Sequence, residues 1–440
     1  MQKNASQCLK LYRWLTRRSE NLTVFWLDKR LKHGKEDQAR LNERKGIPGL
    51  PRPQGTLYWL HAASVGEAQS ALILINALLA QNPSLHILVT TGTKSSAELM
   101  QKNLPKRALH QFFPVDHPTW TKTFMDHWHP DLIFWMESEL WPNMILEIKK
   151  RDIPAILVNA RLSPKSFQGW SLFPKTARCL LETFALILCQ TPQDQDFFKK
   201  LGAANTFVTD NLKYSAQPLP CTKENLETLN AATFNRPLWV YASTHKGEET
   251  LAARIHEKLK RQFPDLLTII IPRHPRRREE IAKDLAPFSL EIKWRSDEKK
   301  LPENTTQIYI ADTFGELGLF YRATPIACIG RSFSDDGGGG HNPIEAAQLG
   351  CAVLHGPNVQ NLQDIFDEMD SADAATALGN EEELTETLRT LFSNKELLHE
   401  HQKKALDFAR AKEGTLERVL KQINPMLEMT KIPRKESTAR

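Results

Sequence analysis

Two doubly wound α/β domains are the fold that this sequence predicts, on three observations. Short apolar runs separated by helix-length stretches recur from residue 57 onward, and strands alternating with helices give a parallel sheet covered on both faces. The alternation stops in a polar, Pro-bearing segment from Ser215 to about Arg236 and then resumes, as it does across a linker. The length, 440 residues, suits two or three domains. A ligand cleft between the two domains is the expectation.

The first set of strands starts with Leu57–Ala62, which runs through a Ser64–Gly66 turn into a helical stretch, Ala68 to Leu79. Leu85–Thr91 is the next strand, and Gly92–Ser96 turns it into a helix. Asp131–Met136 ends at Glu137, and Ala155–Ala160 and Leu186–Gln190 follow at similar spacing. The second set is Leu238–Ala242, Leu267–Ile271, Ile308–Ala311, Ile326–Gly330 and Ala352–His355. No period of 20–50 residues is visible, which excludes a solenoid. The predicted organisation is a membrane-associating segment (1–50), an N-terminal domain (51–215), a linker (216–235), a C-terminal domain (236–428) and a basic disordered tail (429–440). The last helix of the C-terminal domain is free to cross back to the N-terminal one.

A hydrophobic share of 41% and a charged share of 25% are ordinary for a globular protein. No stretch reaches the roughly 18 apolar residues of a spanning helix, and the N-terminus lacks the pattern of a secretory signal. Six scattered cysteines without CxxC spacing read as reduced, buried thiols of a cytosolic protein. The basic charge sits at the ends. Residues 1–45 carry +7 and residues 431–440 carry +3, so a chain of net +6 leaves −4 for the body. Nucleic acid needs a basic stripe on the folded body, so it is not an expected partner. The basic N-terminus also carries Leu11, Trp14, Leu15, Leu22, Phe25 and Trp26. Residues 1–45 therefore fit two descriptions: an interfacial helix on anionic lipid, or an amphipathic helix packed on the domain beneath it.

Four strand ends carry candidate chemistry. Glu67 stands at a strand's carboxyl end in the first turn of a helix, where open α/β sheets keep their ligands. The helix dipole favours its ionised form, and a Glu that merely complements that dipole is the alternative. Arg273, between Pro272 and His274-Pro275, offers a fixed guanidinium suited to phosphate. Phe314-Gly315-Glu316 opens a helix whose free amides attract anions. Four glycines, Gly337 to Gly340, would let backbone approach a ligand, and His341-Asn342-Pro343-Ile344-Glu345 follows, with Pro343 in a first helical turn and Glu345 aimed back at the loop. Neither the GxGxxG fingerprint nor a P-loop is present. His127 and His129 lack a third ligand, so no metal site is expected.

Ten segments, in order over residues 55–370, resemble the 3-deoxy-D-manno-octulosonic acid (Kdo) transferases of lipopolysaccharide assembly. They begin at His61, Thr90, Phe113, Glu137, Asn159, Asn211, Ala242, Pro272, Asp312 and Gly339. The resemblance implies a GT-B fold and CMP-Kdo as donor. The acceptor would be a lipid A precursor of the lipid IVA type, at the cytoplasmic face of the bacterial inner membrane. Carried over by position, Glu67 is the general base, while Glu137 and Lys213 stabilise the transition state. Pro272, Arg273, Phe314, Gly315, Glu316, Asn342, Pro343, Ile344 and Glu345 bind the CMP. An inverting transfer of this kind needs no metal if cations and helix-end amides meet the phosphate's charge. Glu137 supports the developing positive charge or holds Lys213, and the residues leave both open. A GT-B enzyme using another nucleotide sugar, or a non-catalytic nucleotide-sugar-binding protein at the membrane surface, are the alternatives. Three departures from the family pattern stand out: a longer glycine loop with Ser334-Asp335-Asp336, Asp210 where a small residue is usual, and a more charged N-terminus.

Overall fold

The computed structural model describes residues 7–431 except 138, 216–217, 298–300, 335 and 338. Ser138, Asp335 and Gly338 of the motifs, and residues 432–440 of the basic tail, therefore lie outside the described residues. The chain divides into two compact units, one running to Ser215 and taking in everything from Gly414, the other Ala216–Glu413.

The first unit holds a seven-stranded parallel sheet in the order β3-β2-β1-β4-β5-β6-β7. Its strands are β1 (Leu57–Ala62), β2 (His86–Thr91), β3 (Ala108–Phe112), β4 (Leu132–Met136), β5 (Ala155–Ala160), β6 (Phe184–Cys189) and β7 (Thr206–Val208). Alternate side chains feed two cores: Leu57 and Trp59 of β1 enter one, Tyr58, Leu60 and Ala62 the other. Burial on both faces explains the near-continuous apolar runs. β1 and β4 pair at the sheet's centre, Leu60 against Phe134 and His61 against Trp135. The connections run in opposite directions from these two strands. The loops after β1 and β4 therefore flank the crevice where doubly wound sheets bind ligands.

The second unit repeats the plan, with the order β10-β11-β9-β8-β12-β13-β14. These are β8 (Leu238–Thr244), β9 (Leu267–Pro272), β10 (Ile292–Trp294), β11 (Ile308–Ile310), β12 (Ile326–Ile329), β13 (Ala352–His355) and β14 (Thr376–Ala377). Here β8 and β12 flank the switch point.

The N-terminal segment belongs to the first unit and is not a separate domain. Helix α1 (Gln7–Arg18) buries Leu9 in that unit's core. Its Tyr12 hydroxyl donates to Asp116 Oδ2 at 3.0 Å, and Thr16 Oγ1 accepts from Asn143 at 3.1 Å. Leu11, Trp14 and Leu15 of α1 stay exposed, as do Leu22, Phe25 and Trp26 of α2 (Glu20–Lys32). No helix among the described residues is long and apolar enough to cross a membrane.

The stretch expected to be a linker plus a short helix carries the helix Lys223–Ala232, whose Leu229 is buried. At the other end, the helix Thr415–Lys431 lies in the first unit, with Val419, Ile423 and Leu427 in its core. That helix corrects the tail boundary placed at 429, because Leu427 is buried and Thr430 Oγ1 is 2.6 Å from the Tyr58 hydroxyl. Among the cysteines only four are buried; Cys8 is exposed and Cys221 half-buried.

Candidate active site

Glu67 enters α3 (Val65–Gln81) at its third residue, behind the N-cap Ser64, whose hydroxyl accepts from the Glu67 amide. The carboxylate folds back over the turn. Oε2 accepts from the Ala63 amide at 2.8 Å and Oε1 from the Ser64 hydroxyl at 3.2 Å. Only 7% of the residue is exposed. Burial, and then the neighbouring Glu137 carboxylate, push its pKa up to about 8, against the opposing Ala63 and Ser64 hydrogen bonds. This corrects the expectation of a dipole-favoured ionised side chain. A first-turn dipole contributes about 0.3–1 kcal/mol, too little to offset lost hydration beside a second carboxylate.

Glu137 follows the last residue of β4, and its amide donates to Val158 O at 3.0 Å. Its φ is 54°, in the left-handed region. A glutamate there costs about 1–2 kcal/mol, and strain of this kind collects at functional sites. Lys213 lies in a 3-10 turn, Leu212–Ser215. A methyl group added to Gly66 would sit 3.3 Å from Lys213 Nζ, so the bare glycine lets the ammonium approach the start of α3. Glu67, Glu137 and Lys213, distant in sequence, thus gather at one end of one sheet.

In the second unit Pro272 closes β9, and the Arg273 amide donates to Thr244 O at 3.0 Å, leaving the guanidinium exposed. Burial raises the pKa of Glu345, against the opposing Asn342 hydrogen bond and the Arg273 charge. Asn342 stands two residues before the short helix Ile344–Gln348; its Oδ1 accepts from the Ile344 amide at 3.1 Å, while its Nδ2 reaches Glu345 Oε1 at 3.4 Å. Pro343 therefore sits at the N-cap, one residue ahead of the turn expected for it. Phe314 is exposed, next to Gly315 at φ 81°. The Glu316 carboxylate is already held by Arg295, which donates from Nη2 at 2.7 Å and Nε at 3.0 Å. This leaves backbone, Phe314 and Gly315 as the parts of that segment open to a ligand.

Two of the four glycines have a different reason from the one expected. A Cβ on Gly339 would come within 2.2 Å of Gln360, and one on Gly340 within 2.9 Å of Phe366. Those glycines serve packing against the chain that follows β13. At the switch point itself stand groups to which the sequence assigns no role. His245 Nδ1 faces Asp336 Oδ2 at 2.8 Å and its Nε2 faces His341 Nε2 at 3.2 Å. Since the carboxylate only accepts, a neutral His245 carries its proton on Nδ1 and takes a hydrogen bond from His341 Nε2. Burial, then Arg273, lowers the His341 pKa to about 3. Glu248 clamps the same place, accepting from the amides of His245, Arg331 and Phe333 at 2.8, 2.7 and 3.1 Å. The sequence gives no signal for Arg295. Among the described residues no group of three or more His, Cys, Asp or Glu side chains is placed to hold a metal ion.

A family model described as 3-deoxy-D-manno-octulosonic-acid transferase (kdotransferase) matches residues 39–216. The 3-deoxy-D-manno-octulosonic acid transferase of Rickettsia bellii is 36% identical over 393 residues, 89% of this chain and 93% of the relative. The chain belongs to the Kdo transferase family. Its members are glycosyltransferases that move Kdo, and similarity to them extends well beyond one bacterial genus. The 3-deoxy-D-manno-octulosonic acid transferase of Haemophilus influenzae is 30% identical over 398 residues, 89% of this chain and 92% of the relative. A probable mitochondrial one from Arabidopsis thaliana is 37% identical over 407 residues, 90% and 91% of the two chains. The fold is also that of the UDP-GlcNAc 2-epimerase of Neisseria meningitidis, at 16% identity and a TM-score of 0.53 over 83% of this chain and 100% of that one.

One family departure has a structural partner. Asp210, expected to depart from the family pattern, takes φ 65° and pairs with Arg418 of the final helix at 2.7 Å. The side chain ties the approach to Lys213 to that helix.

Proposed function

We propose that this Kdo transferase takes Kdo from CMP-Kdo and attaches it, with inversion, to a hydroxyl of a lipid A precursor. The observation that carries the reading is the Glu67 carboxylate at the switch point, raised in basicity by its burial and then by Glu137. In the step, the acceptor oxygen bonds to the anomeric carbon of Kdo. The bond from that carbon to the CMP phosphate oxygen breaks, and its electron pair leaves with CMP. Glu67 takes the hydroxyl proton as general base, and a base with a pKa near the working pH is well matched to that task.

Positive charge develops on the sugar as the leaving group departs. Glu137 opposes that charge from the left-handed turn after β4, and Lys213 supplies a cation for the departing negative charge. The CMP moiety is held by Pro272, Arg273, the Phe314–Glu316 turn and the Asn342–Glu345 cap. A guanidinium and helix-end amides meet the phosphate there. The residues present supply the needed charge, so the transfer proceeds without a metal, and EDTA leaves the rate unchanged in this reading. The exposed apolar residues and Lys/Arg of α1 and α2 attach the protein to an anionic membrane surface, on the cytoplasmic side of the inner membrane.

Mass spectrometry of the product tests the donor and the acceptor together. Incubation of a lipid A precursor with CMP-Kdo is expected to give a Kdo adduct, and UDP-sugars none. A product formed from a UDP-sugar, with none from CMP-Kdo, would refute the reading.

A further inference from the structure

Between Glu137 and Lys213 lies a set of buried amides to which the proposed chemistry assigns nothing. We propose that one of them, Asn159, is a positioning residue: it fixes the Lys213 turn and the Glu137 carboxylate relative to each other. The inference rests on the roles given above to those two residues.

Asn159 is the penultimate residue of β5, with φ 56°. The register between β5 and β6 shifts between Leu157 and Ala160. This is a bulge, a feature that re-aims side chains beside active sites. Asn is among the residues that tolerate the left-handed region best. Its Oδ1 accepts from the Leu212 amide at 2.9 Å, at the first residue of the turn that carries Lys213. A backbone N–H can only donate, so the atom facing Leu212 must be the oxygen. The amide orientation is thereby set, and Nδ2 is obliged to face the other way. There it meets Glu137 Oε1 at 3.5 Å and Asn211 Oδ1 at 3.4 Å, both long contacts.

Two further amides lock the arrangement. Asn211 Oδ1 accepts from the Lys213 amide at 3.1 Å, and its Nδ2 donates to Gln190 Oε1 at 3.1 Å. Gln190 Nε2 in turn donates to the Asn159 carbonyl at 3.0 Å. Asn159, Gln190 and Asn211 are 1%, 6% and 8% exposed. A mutually satisfied polar network in low dielectric is rigid. This one ends on the carboxylate at one side and on the lysine's backbone at the other. Ordinary packing would be served by apolar side chains, whereas a left-handed Asn at a bulge serves direction.

Asn159→Gly separates the roles, since glycine keeps the left-handed backbone and removes only the amide. Small displacements of reacting groups cost up to about 100-fold in rate. We therefore expect kcat to fall about 30- to 100-fold, with KM for CMP-Kdo within about twofold and the melting temperature close to that of the parent. In a Lys213→Ala, Glu137→Gln background the same change is expected to cost no more than about threefold, because both groups it positions are gone. Asn159→Asp, which keeps the acceptor for Leu212 but turns a carboxylate oxygen on Glu137, is expected to lose activity as well. Near-parental kcat in Asn159→Gly, while Lys213→Ala and Glu137→Gln are impaired, overturns the proposal. So does an equal loss in both backgrounds accompanied by a lower melting temperature, which marks a merely structural amide. Near-parental kcat in Lys213→Ala and Glu137→Gln instead removes the mechanistic reading itself, and the positioning role with it.

Discussion

A carboxylate that is nearly buried and faces another carboxylate titrates late, and two measurements follow for Glu67. As a base it works only when deprotonated, so kcat/KM is expected to rise with pH through a limb near the pKa of about 8. The limb belongs to the Glu67–Glu137 pair more than to either residue. Glu67→Gln should lower transfer by about 100-fold or more while CMP binding persists; near-normal turnover would sink the base assignment. The same group also sets a stability trend. Unfolded, it gives up its proton near its ordinary value of 4.5, whereas the folded protein retains it to about 8. The folded state thus binds the extra proton across that window, and stability falls as pH rises through it. Glu67→Gln, which never ionises, is expected to gain in melting temperature over the parent from pH 5 to pH 9. A constant difference between the two would contradict the raised pKa.

At the scale of elements, two helices carry testable roles. α1 is pinned to the first unit by Leu9, Tyr12 and Thr16, so its removal would uncover core. The exposed side is the part to change: Leu22 and Phe25 of α2 are 72% and 69% exposed, and Trp14 of α1 is 49% exposed. Replacing these three by Ser is expected to weaken binding to anionic vesicles and to leave transfer to a detergent-solubilised acceptor intact; unchanged vesicle binding would refute the membrane role. The final helix meets the turn before Lys213 through Asp210 and Arg418, both partly solvated. Arg418→Ala is therefore expected to cost less than about 1 kcal/mol in denaturant unfolding, and a much larger loss would mean the pair does more than anchor that helix. The elements also show where sequence patterns fail. β3, β7, β10 and β14, absent from the sequence reading, are the four edge strands of the two sheets. An edge strand is short, or carries polar residues such as His110 and Gln111 of β3, because one side lacks a partner. Central strands such as β1 and β4 are buried from end to end, and their apolar runs are legible for that reason.

For the molecule as a whole, separate cores in the two units imply more than one unfolding event. CMP at about one hundred times its Kd stabilises whatever binds it by about 2.7 kcal/mol. Scanning calorimetry with CMP is expected to raise one transition, that of the unit holding Arg273 and Glu345, and a shift confined to the other would reassign the nucleotide site. By itself the sequence determined the α/β plan, the break at 215, the strand-end positions of Glu67, Glu137 and Arg273, and the family. Each of these is written in local patterns: burial on both sheet faces leaves apolar runs, and strand-to-helix turns leave Gly, Ser and Pro. Only the tertiary structure decided the rest. Glu67's proton affinity depends on a carboxylate seventy residues away in sequence, and the fork on Glu316 comes from Arg295, for which no pattern exists. Gly339 and Gly340 answer to the packing of the chain after β13, and Asn159 to a turn beyond residue 210. These are long-range contacts, and a local pattern holds no record of what the chain folds against.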